Sequence, residues 1–165
     1  MHFELLDVVD VNDVVIKQRP RTQIHAESLR HRAVHILVFN DSGELFLQKR
    51  SMKKDLNKGL WDTSAAGHVD AGESYDSCAP RELQEELGVS VAALQGLFKL
   101  DASVDLGMEF IQVYACQHNG PFVLAPEEID EGCWLSPESV DARVAADDPS
   151  LTLTFRIIWR RYRQS

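Results

Sequence analysis

Glu82, Glu85 and Glu86 stand at i, i+3 and i+4. On a helix that spacing projects all three carboxylates from one face. Held so close, they repel one another unless a cation sits among them. Oxygen donors are hard ligands, and a cluster of them suits magnesium or manganese. Such an ion serves the cleavage of a phosphorylated substrate. A glycine-bearing loop, Gly67-His-Val-Asp-Ala-Gly72, directly precedes the acidic run. Gly67 lets the backbone come close to a metal or a phosphate.

The acidic face needs a helix, and the sequence predicts one from about Ser74 to Leu87. Ser74 or a neighbour supplies a cap and Gly88 a terminator. Pro80 falls inside this span, where it removes a hydrogen bond and favours either a kink or a later start of the helix. Leu83, Leu87 and Val89 should face the core. Trp61 to Ala66 reads as a short strand leading into the glycine loop. Before it, Ala33–Phe39 and Glu44–Lys49 read as strands around the turn Asn40–Gly43. Ser51–Gly59 is a basic loop. From it and its approach, Lys49, Arg50, Lys53 and Lys54 could reach phosphates, although a solvated basic loop is the plainer reading. Trp61 could stack on a base, but a core tryptophan is the plainer reading there too.

The remaining chain supplies a frame. Phe3–Val9 and Val14–Lys17 read as a hairpin, followed by a short helix near Ala26–Leu29. Leu97–Ser103 and Glu109–Gln117 read as strands joined through Asp105–Gly107. Cys133–Leu135 is a short strand. Ser136-Pro137 opens a helix, and a last helix is expected from Asp148-Pro149 to Arg163. Leu153, Ile157, Ile158 and Tyr162 should give that last helix its core face.

A chain of 165 residues with 44% hydrophobic and 26% charged content fits one globular domain spanning residues 1–165, with residues 1–30 as an N-terminal hairpin extension. The net charge of −9 argues against a broad nucleic-acid surface. It does not argue against small phosphorylated ligands, whose contacts a metal can mediate. Cys78, Cys116 and Cys133 are odd in number and form no C-x-x-C pair, so a disulfide framework is not expected and a cytoplasmic setting fits. No apolar run approaches the roughly 20 residues that span a bilayer.

The stretch from Gly67 to Val89 resembles the Nudix box, G-x5-E-x7-R-E-U-x-E-E-x-G-U with U aliphatic. Gly67, Glu73, Arg81, Glu82, Leu83, Glu85, Glu86, Gly88 and Val89 meet every specified position. The flanks are similar to the family's domain over roughly residues 30–140. The resemblance implies an α/β fold, the Nudix α/β/α sandwich with a mixed central sheet. It implies hydrolysis of a nucleoside diphosphate linked to another moiety, X, with Mg2+ or Mn2+ as cofactor. By the same resemblance, Glu85 and Glu86 ligate the metal and Glu82 is a ligand or the base that activates water. The carbonyl of Ala66 also binds metal, and Arg81 pairs with Glu73 to hold loop to helix. A further catalytic glutamate is expected downstream from Glu127, Glu128 or Glu131, with Glu128 the first choice. Family members often dimerise, which admits a homodimer here. The box says almost nothing about X.

The positions around His25, His31 and His68 also resemble isopentenyl diphosphate isomerase, another branch of this fold. That likeness implies a metal held by histidines and an acid aligned with Glu109. The isomerase's essential cysteine should directly precede Gly67, where Ala66 stands, and Gly107 replaces an expected glutamate. Imidazoles suit zinc or manganese, so a second metal site at His25, His31 and His68 is a further expectation, beside ordinary hydrogen-bonded histidines. A non-catalytic nucleotide-ligand sensor is a third reading, against which the intact Glu82, Glu85 and Glu86 count.

Overall fold

The computed structural model describes residues 4–165. Its centre is a seven-stranded mixed sheet. β3 (His31–Phe39) lies in the middle, antiparallel to β4 (Leu45–Arg50) and to β6 (Ala65–His68), and parallel to β8 (Glu109–Gln117). β5 (Trp61–Asp62) and β9 (Ile129–Leu135) extend the sheet beyond β4, while β7 (Gln95–Leu100) pairs with β8. This is the α/β sandwich with a mixed sheet that the box implies.

β3 explains the layering. Its side chains alternate between faces, yet both faces are buried. Val34, Ile36 and Val38 join one apolar cluster; Ala33 and Leu37 join the other. Helix α2 (Tyr75–Leu87) covers the first face through Cys78, Ala79, Leu83 and Leu87. Helices α3 (Pro137–Ala145) and α4 (Leu153–Arg163) cover the second through Val140, Val144, Phe155, Ile158 and Trp159.

The N-terminal segment lies beside this sandwich. β1 (Leu5–Val9) and β2 (Val15–Pro20) form their own antiparallel pair, followed by α1 (Arg21–Glu27). Leu6, Val8 and Ile24 give it a small core. Asp13, at the hairpin turn, knots it to the body: it accepts from Arg32 at 2.7 Å, from the Tyr75 hydroxyl at 2.7 Å and from Lys99 at 2.8 Å. The expected strand start at Phe3 lies outside the described residues.

Several expected boundaries move. The helix expected near 26–29 runs instead from Arg21 to Glu27, because Ser28 turns left-handed and closes it. The single strand expected over 61–66 is two strands, β5 and β6. Thr63 and Ser64 break it by bending the chain from a partnership with β4 to one with β3, and Ser64 Oγ fills the gap by donating to Phe46 O and accepting from Val38 N. The hairpin expected through 105–107 contains a turn of 3-10 helix at Val104–Leu106. The strand expected at 133–135 starts at Ile129. The last helix begins at Leu153 rather than near Asp148, because Thr152 caps it by accepting from Phe155 N. That shift turns Leu153 outward (41% exposed) and makes Phe155, Ile158 and Trp159 the buried face, with Ile157 and Tyr162 packed at its margin.

Candidate active site

The sandwich opens on one side into a cleft of about 1140 Å³. The expected site residues Ala66, Glu82, Glu85, Glu86 and Glu128 all line it. α2 brings the glutamates there. Ser74 caps the helix by accepting from Ser77 N at 3.1 Å, and Gly88 ends it in the left-handed conformation. Pro80 sits in the sixth position without interrupting the assigned helix. Leu83 and Leu87, fully buried on the core side, fix the rotation that aims Glu82 and Glu86 at the loop.

Glu86 is 5% exposed. It accepts hydrogen bonds from Ala66 N–H at 2.9 Å and from Gln48 Nε2 at 3.0 Å. Burial, opposed by the Ala66 N–H and reinforced by the charge of Glu128, pushes its carboxyl up to about 7. Glu82 lies against the glycine loop: a Cβ on Gly67 would stand 2.0 Å from the Glu82 carboxyl carbon. A side chain at position 67 would have to push the Glu82 carboxyl aside. Burial, then the charge of Glu86, pushes Glu82 up to about 8. Glu85 is different. Its side chain is 58% exposed and pairs with Arg81 at 3.2 Å.

Arg81 organises this face. It grips Glu73 with two bonds, Nε to Oε2 at 2.7 Å and Nη2 to Oε1 at 2.8 Å, as expected from the box. Nη1 adds Glu82 at 2.9 Å, and Nη2 reaches the His68 carbonyl at 3.2 Å. One guanidinium therefore ties loop and helix together through Asp70, Glu73, Glu82 and Glu85.

The cleft also carries cations. Arg50, Lys53 and Lys54 line the cleft as the basic loop suggested, whereas Lys49 does not. Lys54 pairs with Glu128, Lys53 with Glu127 at 3.7 Å and Arg21 with Asp55 at 3.0 Å. Of the three downstream candidates, Glu127 and Glu128 line the cleft. Glu131 sits on β9 opposite Lys49, away from it. Trp61 is partly buried against the cluster that includes Phe155 and Ile158, and it is not among the residues lining the cleft. Gln48 and Arg21 were not anticipated. Neither carries a local signal, because each reaches the site only through the pairing of its own strand or helix.

Behind the glycine loop stands a second constellation. His25, His31, His68 and Glu109 bring one ligand atom each within 4.8 Å of all the others. Burial opposes charge on His68, but hydrogen bonds to Glu109 and Glu4 override it and raise the ring to about 9. Burial, then the His68 charge, depresses His25 to about 4. Glu109 is held well below the usual carboxylate range: burial opposes this, and His31 and His68 overcome it.

The residues present fit a hard divalent ion at the box. Two neighbouring carboxylates are buried, held in place by backbone and arginine, with a backbone kept clear of side chain at Gly67. An all-oxygen donor set of this kind is what magnesium or manganese takes.

Comparison with known proteins shows the family. The NUDIX domain model matches residues 29–155. An uncharacterized Nudix hydrolase of Yersinia pestis is 40% identical over 143 residues, covering 86% of this chain and 78% of the relative. An isopentenyl-diphosphate Delta-isomerase of Serratia proteamaculans is 33% identical over 161 residues, covering 95% of this chain and 90% of the relative. The crystal structure of DR0079 from Deinococcus radiodurans superposes with a TM-score of 0.85 at 31% identity, covering 96% and 98% of the two chains. Among the described residues, no helix is long and apolar enough to cross a membrane.

Proposed function

Since the chain belongs to the Nudix family of pyrophosphohydrolases, we propose that it cleaves the diphosphate bond of a nucleoside diphosphate linked to a second group, X, by in-line attack of water. The observation that carries this reading is the convergence of Glu82 and Glu86 on the Ala66–Gly67 backbone at the wall of a cleft large enough for such a substrate. Glu82, Glu85, Glu86 and the Ala66 carbonyl would hold Mg2+ or Mn2+. When bound, such an ion lowers the pKa of a coordinated water and neutralises diphosphate charge.

The chain's own residues do the rest. Gln48 and the Ala66 N–H orient Glu86 so that its second oxygen stays available. Arg81 holds Glu82 at the loop. Glu128, whose charge is felt at Glu86, takes up the proton of the attacking water. Arg50, Lys53 and Lys54 line the same cleft and meet the diphosphate oxygens. Lys54 already pairs with Glu128, so a phosphate arriving there competes for the same ammonium.

The similar isomerase keeps an isomerase-like reading in view. Against it stands Ala66, whose methyl group moves no proton where the isomerase needs a thiol. A nucleotide sensor is disfavoured by the complete set of Glu82, Glu85 and Glu86. The three cysteines are free and support a reducing, cytoplasmic setting.

The test is incubation with magnesium or manganese and a panel of nucleotide sugars, dinucleotides, nucleoside triphosphates and isopentenyl diphosphate, with products read by mass spectrometry beside a Glu85→Gln variant. Metal-dependent diphosphate cleavage that the variant loses is the expected result. Double-bond migration without hydrolysis would assign the isomerase chemistry instead, and tight binding without turnover a sensor.

A further inference from the structure

We propose that His35 is a specificity-determining contact of the cleft: its Nε2 accepts a hydrogen bond from a neutral donor on the nucleoside, a sugar hydroxyl or a base amino group, while the diphosphate lies at the box. The class of ligand rests on the hydrolase reading; the contact itself is a residue outside the box.

His35 lies midway along β3 and is 5% exposed, yet it lines the cleft. A buried polar side chain ordinarily has its hydrogen bonds made. Here one ring nitrogen is occupied and the other is not. Nδ1 stands 2.7 Å from Thr63 Oγ1. Among the described residues no group bonds Nε2, and that atom is not sealed inside the protein. The cleft is therefore where Nε2 is open.

The neighbours decide which nitrogen carries the proton. The Thr63 hydroxyl has one proton to give, and the Ala65 carbonyl, 3.4 Å away, can only accept it. Oγ1 then accepts from His35 Nδ1–H. Were the hydroxyl to donate to His35 instead, a lone pair on Nδ1 would face the Asp62 carboxylate 3.8 Å away. That carboxylate is fixed in place, since it accepts from Thr63 N–H at 2.7 Å and pairs with Arg50 at 3.9 Å. Burial lowers the pKa of the ring from its ordinary value, so the ring is neutral. Nε2 thus offers a lone pair whose direction Thr63 and Asp62 hold.

The chemistry of the partner follows. A lone pair with a carboxylate behind it repels phosphate oxygens and attracts a hydroxyl or an amino group. A nucleoside carries both. Position agrees with this. His35 pairs with Ala66 across β3 and β6. Residues directly opposite in an antiparallel pair project to the same face, with Cβ atoms roughly 5 Å apart. The acceptor therefore stands beside the residue whose carbonyl belongs to the proposed metal site, within reach of a nucleoside joined to a diphosphate held there.

The test reads binding, which separates it from turnover. The probes are the α,β-methylene analogues of ADP, CDP and GDP, whose bridging carbon resists hydrolysis. They are titrated by calorimetry, with magnesium present, into the wild type and His35→Leu. The tightest probe is then compared with deoxy forms lacking one sugar hydroxyl and with a form lacking the base amino group. His35→Leu should bind the intact probe about tenfold more weakly, the worth of one hydrogen bond. One trimmed probe should bind the wild type about tenfold more weakly and lose nothing further in His35→Leu, and the group removed names the donor. Long-range proton–nitrogen NMR of the wild type should show His35 as the neutral Nδ1–H tautomer, a reading that survives if His35→Leu does not fold. Equal binding by His35→Leu, losses that add in full for every trimmed probe, an Nε2–H tautomer, or no binding of any probe to the wild type would each overturn the proposal. The expected binding pattern without cleavage of any diphosphate would overturn the hydrolase reading and leave His35 as the contact of a sensor.

Discussion

The cleft holds two charged clusters side by side, and they are built on opposite plans. The box carboxylates come from one helix within five residues and carry like charge; Glu82 and Glu86 are largely withdrawn from solvent, while Glu85 stays exposed. Glu82 and Glu86 are both pushed toward neutrality as a result. The histidine cluster draws on four elements spread from His25 to Glu109, and its charges compensate: Glu109 is held ionised by the imidazoles around it. The first is a local motif under electrostatic tension. The second is a non-local assembly already near balance. Like charges held by a rigid helix make a site that gains most when a cation arrives, whereas a compensated cluster serves better to tie elements together.

The largest expected effect breaks the first plan. Glu82→Gln should lower diphosphate cleavage by about 10³-fold, the equivalent of roughly 4 kcal/mol. His25→Gln should lower it far less, measured as kcat/KM under saturating magnesium. Gly67→Ala comes next. Its methyl would collide with the Glu82 carboxyl, and a displacement of that size should lower kcat by about 10²-fold. Circular dichroism of that variant should still show the fold. Gln48→Leu removes one of two donors to Glu86 and should weaken magnesium binding by about tenfold, read by calorimetry.

Tension should also show as pH dependence. Both box carboxyls bind protons more tightly in the folded chain than at their ordinary value of 4.5. Protonation therefore favours the fold, and that stability is present near pH 5 and lost as pH rises through 7 to 8. The two groups interact, so the titration belongs to the pair. The melting temperature of metal-free protein should fall by on the order of 5 °C across this range. The fall should shrink in a Glu82→Gln/Glu86→Gln double variant and in excess magnesium. The smallest effect lies outside both clusters. Arg163→Ala breaks an exposed pair with Asp141 and should change stability by less than about 1 kcal/mol and leave activity unchanged.

What could be read in advance followed the same division. The spacing of Glu82, Glu85 and Glu86, the Ser74 cap and the Gly88 terminator are local, and each stands where its spacing implied. The partnership of Arg81 with Glu73 was also legible, through the box. The start of α4 was not, because Thr152 capping competes with the Asp148-Pro149 signal and wins only once Leu151 and Trp159 are buried. Nor was the break of the strand at Thr63-Ser64, which depends on β3 and β4 both being in reach.

By itself, the sequence determined the chemistry of the acidic face, since a helix of 3.6 residues per turn leaves three glutamates at i, i+3 and i+4 little choice of direction. It also marked His25, His31 and His68 as residues of interest. Only the tertiary structure decided that Gln48 steadies Glu86, that Glu128 rather than Glu131 enters the cleft, and that Glu109 joins three histidines around one point. Those placements depend on strand register, where a shift of one residue sends a side chain to the opposite face, and on long-range packing that no short stretch of sequence encodes.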